Sequence, residues 1–326
     1  MKKILIIRLS SLGDIVLTQS AVQAIRDEYP QAQIHYLTKK EYAPIIEMFN
    51  CVDQIHYWEK KRSLLIQLRK IRFDLTIDLH SKFNTLIIKC AVNAKKTITY
   101  KKQHWLRLKI VKKLTNRTIS STVELYFSVL RKLQIEAKVF APRLYLSGSF
   151  ELPEPSSKLT EKKMIGLFPG ALHNTKQYPI QKFAEFIDSV PAEWNCEFVI
   201  FGSDKEKQIA DQLEFITKTK LIDLCGQLDL IKLINVISKL DVVITNDSGP
   251  MHIAAALSRP QIAIFCSTHP KLGFKPLNKN AITLSSDISC QPCSLHGNKA
   301  CPLKHYNCMK EITPSQILDS LEYILF

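Results

Sequence analysis

Long apolar runs are missing from this chain of 326 residues. No stretch approaches the roughly 18–20 residues of a membrane span. The run Ile4–Ile7 is too short for the core of a secretion signal, and Arg8 interrupts it. The expectation is a cytoplasmic protein, soluble or peripheral on a membrane. Short-period repeats and low-complexity segments are missing as well. No Gly-x-Gly-x-x-Gly follows the first strand, which disfavours nicotinamide chemistry. No helix-turn-helix, zinc-finger or RNA-binding signature is present, which disfavours nucleic acid. Acidic residues are scarce: 30 Asp+Glu face 45 Lys+Arg, a net charge of +15. That excess suggests a polyanionic partner, whether nucleic acid, an anionic membrane surface or a phosphorylated substrate.

What remains is ordinary globular composition, with 46% hydrophobic and 23% charged residues, so disorder is excluded. At roughly 100–200 residues per domain, two domains are expected. Short apolar runs read as strands at 3–8, 33–37, 54–57 and 73–78, with helical spacing from about Ile15, at 43–49 and at 63–72. A second series follows the Pro/Ser-rich stretch 152–157, the best linker candidate. Its strands read at 164–168, 197–201, 220–223, 242–245 and 261–265. Its helices read at 180–190, 205–216, 230–239 and 249–257, with a last one at 314–325. Strands alternating with helices imply parallel sheets covered on both faces. The domains are therefore placed at 1–155 and 156–326. In such folds ligands sit outside the carboxyl ends of the strands, and the cleft between the two domains is the expected site.

Four strand-to-helix loops carry the polar chemistry. Thr245–Ala256 places Asp247 and Ser248 as helix caps, Gly249 for close approach and Pro250 in the first turn. Free N–H groups there suit a diphosphate, with His252 in the first turn. A well-capped helix with a packed histidine has the same pattern. In Phe168–Pro179, Thr175 and Lys176 could hold phosphate, or the loop is simply solvated. In Gly202–Glu206 a carboxylate could accept from ribose hydroxyls, or the acids merely suit a helix start. Asp14 closes the loop after the first strand, either as a plain cap or as a general base kept ionised by the helix dipole.

Together these loops resemble the lipopolysaccharide heptosyltransferases of glycosyltransferase family nine. The opening Lys3-Ile4-Leu5-Ile6-Ile7-Arg8-Leu9-Ser10-Ser11-Leu12-Gly13-Asp14, the loop Asn246–Ala255 and the segment Pro169–Pro179 carry the likeness. The segment from Cys290 to Met309 is most similar to the second-heptose type. The resemblance implies an α/β chain of the GT-B fold: two Rossmann-like, doubly wound domains with an interdomain cleft. It implies an ADP-heptose donor on the second domain and the lipopolysaccharide inner core (Kdo-lipid A) on the first. It also implies inversion by direct displacement, with neither cofactor nor catalytic metal. Asp14 matches the general base. Ser11 and Gly13 shape the loop beside the diphosphate, and Thr175 and Lys176 match phosphate contacts. Glu206 matches the ribose acid, with Asp204 close enough to compete. Asp247, Ser248, Gly249 and His252 match the donor loop. Transferases of the same fold with other sugars, and a non-catalytic glycan-binding protein, are the alternatives.

Two features stand apart. Four of nine cysteines, Cys290, Cys293, Cys301 and Cys308, fall close together, beside His296 and His305. They read as packed thiols, a redox-labile pair or a structural metal site. The charge is also uneven: residues 1–150 carry net +16 and residues 151–326 carry −1. It is densest from Lys60 to Arg117, where Lys60, Lys61, Arg62, Lys95, Lys96, Lys101, Lys102, Lys112 and Lys113 cluster near Trp105 and Leu106. Lys60, Lys61, Arg62, Lys101 and Lys102 are the candidate acceptor contacts. A solvated basic face is the plain reading. The functional one is a face for acidic sugar, lipid phosphate and the inner-membrane surface.

Overall fold

The computed structural model describes residues 1–146 and 162–326. The chain divides into two compact units. The first holds residues 1–104 and 121–146. The second holds residues 105–120 and the described residues from 162 onward. The linker expected at 152–157, and the boundary at 155/156, lie outside the described residues.

The first unit is a five-stranded parallel sheet. Its strands are β1 (Lys3–Ile7), β2 (Gln33–Thr38), β3 (Gln54–Tyr57), β4 (Leu75–Asp78) and β5 (Lys96–Thr99). The spatial order is β3-β2-β1-β4-β5. Ile4 to Ile7 are wholly buried because both faces of a central parallel strand are covered. Helices α1 (Leu12–Val16), α2 (Gln19–Glu28), α3 (Ala43–Glu47), α4 (Arg62–Ile71) and α5 (Phe83–Val92) connect the strands. One packed face joins Leu5, Ile7 and Leu37 to Leu68, Phe73, Ile88 and Val92.

The second unit has six parallel strands: β6 (Lys163–Phe168), β7 (Cys196–Ile200), β8 (Leu221–Asp223), β9 (Val242–Asn246), β10 (Gln261–Phe265) and β11 (Ala281–Ser285). Their order is β11-β10-β9-β6-β7-β8. Ile165, Leu167, Ile244 and Ile264 pack with Phe183, Phe186 and Leu321 in its main core.

Both sheets share one topological feature. The chain builds outward from β1 to β3, then returns to the other side of β1 as β4. It does the same from β6 to β8, returning as β9. The connections therefore diverge at β1/β4 and at β6/β9, and each divergence opens a crevice at the carboxyl ends.

One sequence-based assignment changes. Trp105–Ser120, expected in the first domain, belongs to the second unit. Arg107 lies over the Phe274 ring and its Nε donates to Leu272 O. Lys113 Nζ donates to Gln291 O, and Ile119 N donates to Lys271 O. Arg107, Lys109, Lys112, Lys113 and Arg117 move with it, so residues 1–104 with 121–147 carry net +11 and residues 105–120 with 148–326 carry net +4. The basic excess is skewed toward the first unit but is not confined to it.

Candidate active site

In the first unit the crevice lies between the loops after β1 and β4. Arg8, at the end of β1, is nearly buried and donates from Nη1 to Leu79 O at 2.6 Å, tying the two loops together. Its Nε donates to Ser10 O at 2.7 Å. The remaining nitrogen, Nη2, pairs with Asp14 Oδ2 at 2.5 Å. Ser11 Oγ donates to the same oxygen at 3.0 Å. Gly13 is buried beneath them. Asp14 is thus oriented by two donors while a quarter of its side chain stays exposed. A fixed, partly exposed carboxylate in a crevice can accept a proton. His80, in the loop after β4, is buried; burial first, then the Arg8 and Lys82 cations, pushes it down to about 4. Its ring is neutral at pH 7.

In the second unit the crevice lies between the loops after β6 and β9. Asn246, the last residue of β9, binds both sides of the first loop. Its Nδ2 donates to Pro169 O at 2.6 Å, and its Oδ1 accepts from Tyr178 N at 3.0 Å. Lys176 Nζ then meets Asp247 Oδ2 at 2.9 Å, where Thr268 Oγ1 also donates at 2.7 Å. The helix α6 (Gly249–Ala256) opens on Ser248, whose hydroxyl does not cap it and lies 3.3 Å from Thr245 Oγ1. First-turn N–H groups next to a lysine ammonium form an anion site.

The competition between Asp204 and Glu206 has a geometric outcome. Glu206 Oε2 accepts from Ser203 N and Oγ, both at 2.8 Å. Its other oxygen is packed so close to Gly170 that a Cβ there would lie 1.7 Å away. Glu206 therefore borders the loop that carries Lys176. Asp204 turns to Gly226, beside the end of β8.

Two candidates occupy places unlike those expected. Thr175 is 1% exposed and its hydroxyl is committed within the protein. It donates to Asn298 O at 3.0 Å and accepts from Asn298 N at 2.7 Å and Ser267 Oγ at 2.9 Å. It fastens the loop and does not present a hydroxyl to phosphate. His252 is 5% exposed on α6 and is packed within its domain. On the basic face, Lys60, Lys61, Arg62 and Lys101 are exposed and Lys102 is half-buried. Lys61 pairs with Glu59 at 2.5 Å.

Sequence reasoning passed over Arg8, Asn246 and Asn298. In the sequence Arg8 interrupts an apolar run and stands in the opening motif, with no role of its own. Its signal is a charge at the end of a buried strand, a place that requires a partner.

Comparison with known proteins gives consistent findings. The sequence model described as glycosyltransferase family 9 (heptosyltransferase) matches residues 61–306. Lipooligosaccharide heptosyltransferase 2 of Campylobacter jejuni subsp. jejuni serotype O:6 is 29% identical over 320 residues, covering 95% of each chain. The solved ADP-heptose lps heptosyltransferase II of E. coli superposes with a TM-score of 0.77 at 23% identity, over 100% of this chain and 98% of that one. The E. coli heptosyltransferase WaaC, solved with ADP, gives 0.71 at 17% identity, over 99% of each chain. At those identities the two structures speak for the fold.

Proposed function

The chain belongs to glycosyltransferase family 9, and from that premise we propose a donor, an acceptor and a mechanism for it. It is a glycosyltransferase, and at family level a heptosyltransferase of the lipopolysaccharide core. The donor is ADP-heptose, held by the second unit. The acceptor is the lipopolysaccharide inner core, held by the first.

The observation that carries this reading is the pair of crevices, each with a matched acid and cation. In the transfer the acceptor hydroxyl oxygen attacks the anomeric carbon. Its proton passes to Asp14, and the bond from that carbon to the ADP oxygen breaks with its electron pair. Configuration inverts because attack and departure occur on opposite faces. No metal takes part in the transfer. Arg8 and Ser11 keep the Asp14 oxygens aimed, which makes the base ready without reorganisation. An acid paired with an arginine is a weak base, and it suffices when the proton leaves late. Lys176 and the first turn of α6 offset the charge that grows on the leaving diphosphate. Glu206 accepts from the ribose hydroxyls. Ser248 and Gly249 let the chain approach the phosphates closely, and Ser11 and Gly13 shape the loop around the base.

The acceptor is acidic and lipid-anchored, and the first unit suits it. Lys60, Lys61, Arg62, Lys101 and Lys102 offer cations to sugar carboxylates and lipid phosphates. Helix α5 presents Phe83, Leu86 and Ile87 to solvent at 75%, 51% and 47% exposure. Among the described residues no helix is long and apolar enough to cross a membrane. Peripheral association with the cytoplasmic face of an inner membrane fits both features.

The test is transfer itself. Purified protein incubated with ADP-heptose and defined truncated core acceptors should yield a product heavier by one heptosyl group. Transfer from another nucleotide sugar, with none from ADP-heptose, would overturn the donor assignment.

A further inference from the structure

The loop after β4 carries a histidine that the proposed proton transfer leaves unused. His80 follows Leu79, whose carbonyl accepts from Arg8 Nη1, while Nη2 of the same guanidinium pairs with Asp14. One guanidinium therefore sets the His80 backbone beside the proposed base. The turn itself is fixed. Asp78, wholly buried at the end of β4, accepts from the backbone N–H groups of His80 and Ser81 at 2.9 and 2.8 Å. Its other oxygen accepts from Thr85 Oγ1 at 2.9 Å and pairs with Lys89 Nζ at 3.0 Å. A carboxylate matched on both oxygens holds the His80 backbone in place.

The imidazole is not matched in this way. His80 is 4% exposed, and its Nδ1 is sealed from solvent without a hydrogen-bond partner. Buried polar groups are nearly always paired, so an orphan beside a reactive carboxylate calls for an explanation. The ring is neutral at pH 7, because burial and the Arg8 and Lys82 cations oppose its protonation more than Asp78 and Asp14 favour it. A neutral imidazole has one N–H and one lone pair. On Nδ1 the proton would be buried with no acceptor, and an unused lone pair there is the smaller loss. The proton therefore belongs on Nε2.

We propose that His80 recognises the acceptor: its Nε2–H donates to a second oxygen of the sugar whose hydroxyl gives its proton to Asp14. The inference rests on the proposed reading of Asp14 as base and of the first unit as the acceptor's site. The chemistry favours a neutral oxygen, from a hydroxyl or a ring, because a carboxylate at this place would face the Asp14 carboxylate. A neutral donor also suits the base. It orients the sugar without setting a second positive charge beside an acid already paired with Arg8, which would weaken that acid further as a base. A site built to hydrogen-bond one oxygen rejects a sugar that lacks it. His80 thus reads which sugar is presented, and Asp14 acts on it.

The experiment is steady-state transfer from ADP-heptose to the truncated core acceptor that the wild-type chain uses best. Glutamine places an amide nitrogen near the position of Nε2, whereas asparagine reaches only as far as Nδ1. His80→Gln should keep the acceptor KM within about threefold of wild type. His80→Asn and His80→Leu should raise it by roughly tenfold or more, with kcat lowered less and ADP affinity changed less than about twofold. Tyr126 is the control. Its ring centroid lies 5.8 Å from Arg8 Cζ, and its hydroxyl is also buried without a partner, on a side chain that is 0% exposed. Tyr126→Phe should leave the KM within about twofold. Unchanged KM in His80→Leu overturns the inference. So does equal loss in the Gln and Asn variants, or equal loss in Tyr126→Phe, since packing around Arg8 is then the cause. A measurement on the wild-type chain covers variants that fail to fold: nitrogen NMR should show the His80 proton on Nε2, and a proton on Nδ1 overturns the assignment. Absence of transfer by the wild-type chain overturns the functional reading and this inference together, whereas transfer indifferent to His80 overturns this inference alone.

Discussion

The two crevices solve opposite electrostatic problems with the same pair of charges. In the first unit the cation is the more buried partner: Arg8 is 7% exposed and Asp14 25%. In the second the acid is: Asp247 is 9% exposed and Lys176 15%. The deeper residue of each pair is anchored by other donors or acceptors and holds the shallower one toward solvent. The first unit thus offers an acid, suited to accepting a proton. The second offers a cation, suited to a departing phosphate. In the proposed mechanism the partner nearer solvent meets the substrate, and the buried partner positions it.

The largest effect should come from neutralising the offered acid. Asp14→Asn should lower turnover on the order of 10²–10⁴-fold, with ADP affinity changed less than twofold. Wild-type turnover would break the comparison at its first member. Lys176→Met should weaken ADP binding by roughly 10–100-fold, the scale of a charge-assisted contact, and should leave Asp247 buried without its lysine. Calorimetry that returned an unchanged dissociation constant would remove Lys176 from the donor site. A smaller, sharper contrast separates two acids on one loop. Glu206→Gln should weaken ADP roughly fivefold, and Asp204→Asn should stay within about twofold. The reverse order would reassign the ribose contact.

The smallest effect concerns acid stability. His35 and His80, both in the first unit, are pushed down to about 4, chiefly by burial. The unfolded chain titrates near 6.5 and so binds more protons below that pH. Their contribution to stability is therefore full above about pH 6.5 and is lost as the pH falls toward 4. Hydrogen exchange compared at pH 7 and pH 5, corrected for intrinsic rates, should show the first-unit strands losing protection ahead of the second. Equal loss in both units would count against a histidine origin.

Strong local patterns were legible from residues alone. β3, β10 and the last helix Pro314–Leu325 match their expected bounds, and most other expected elements differ by a few residues at their ends. The losses have physical causes. Helix α5 is apolar on both sides, with Thr85, Ile88 and Val92 inside and Phe83, Leu86 and Ile87 outside, so its sequence shows no helical stripe. Strands β5 and β11 lie at sheet edges, are short and are only partly buried, which weakens their apolar signal. Asp14, Lys176 and Asp247 could be named because charged residues follow buried strands. Thr175 could be named too, but not its engagement with Asn298, more than a hundred residues away.

Composition and short-range pattern were enough for two α/β halves, the strand-to-helix loops and the family likeness, because these depend on neighbours in the chain. The pairing of Arg8 with Asp14 and of Lys176 with Asp247 required the folded sheets. Each pair depends on a loop brought beside another by a crossover and held by a buried hydrogen bond. Strand spacing and desolvation, not sequence distance, decide which oxygen meets which nitrogen.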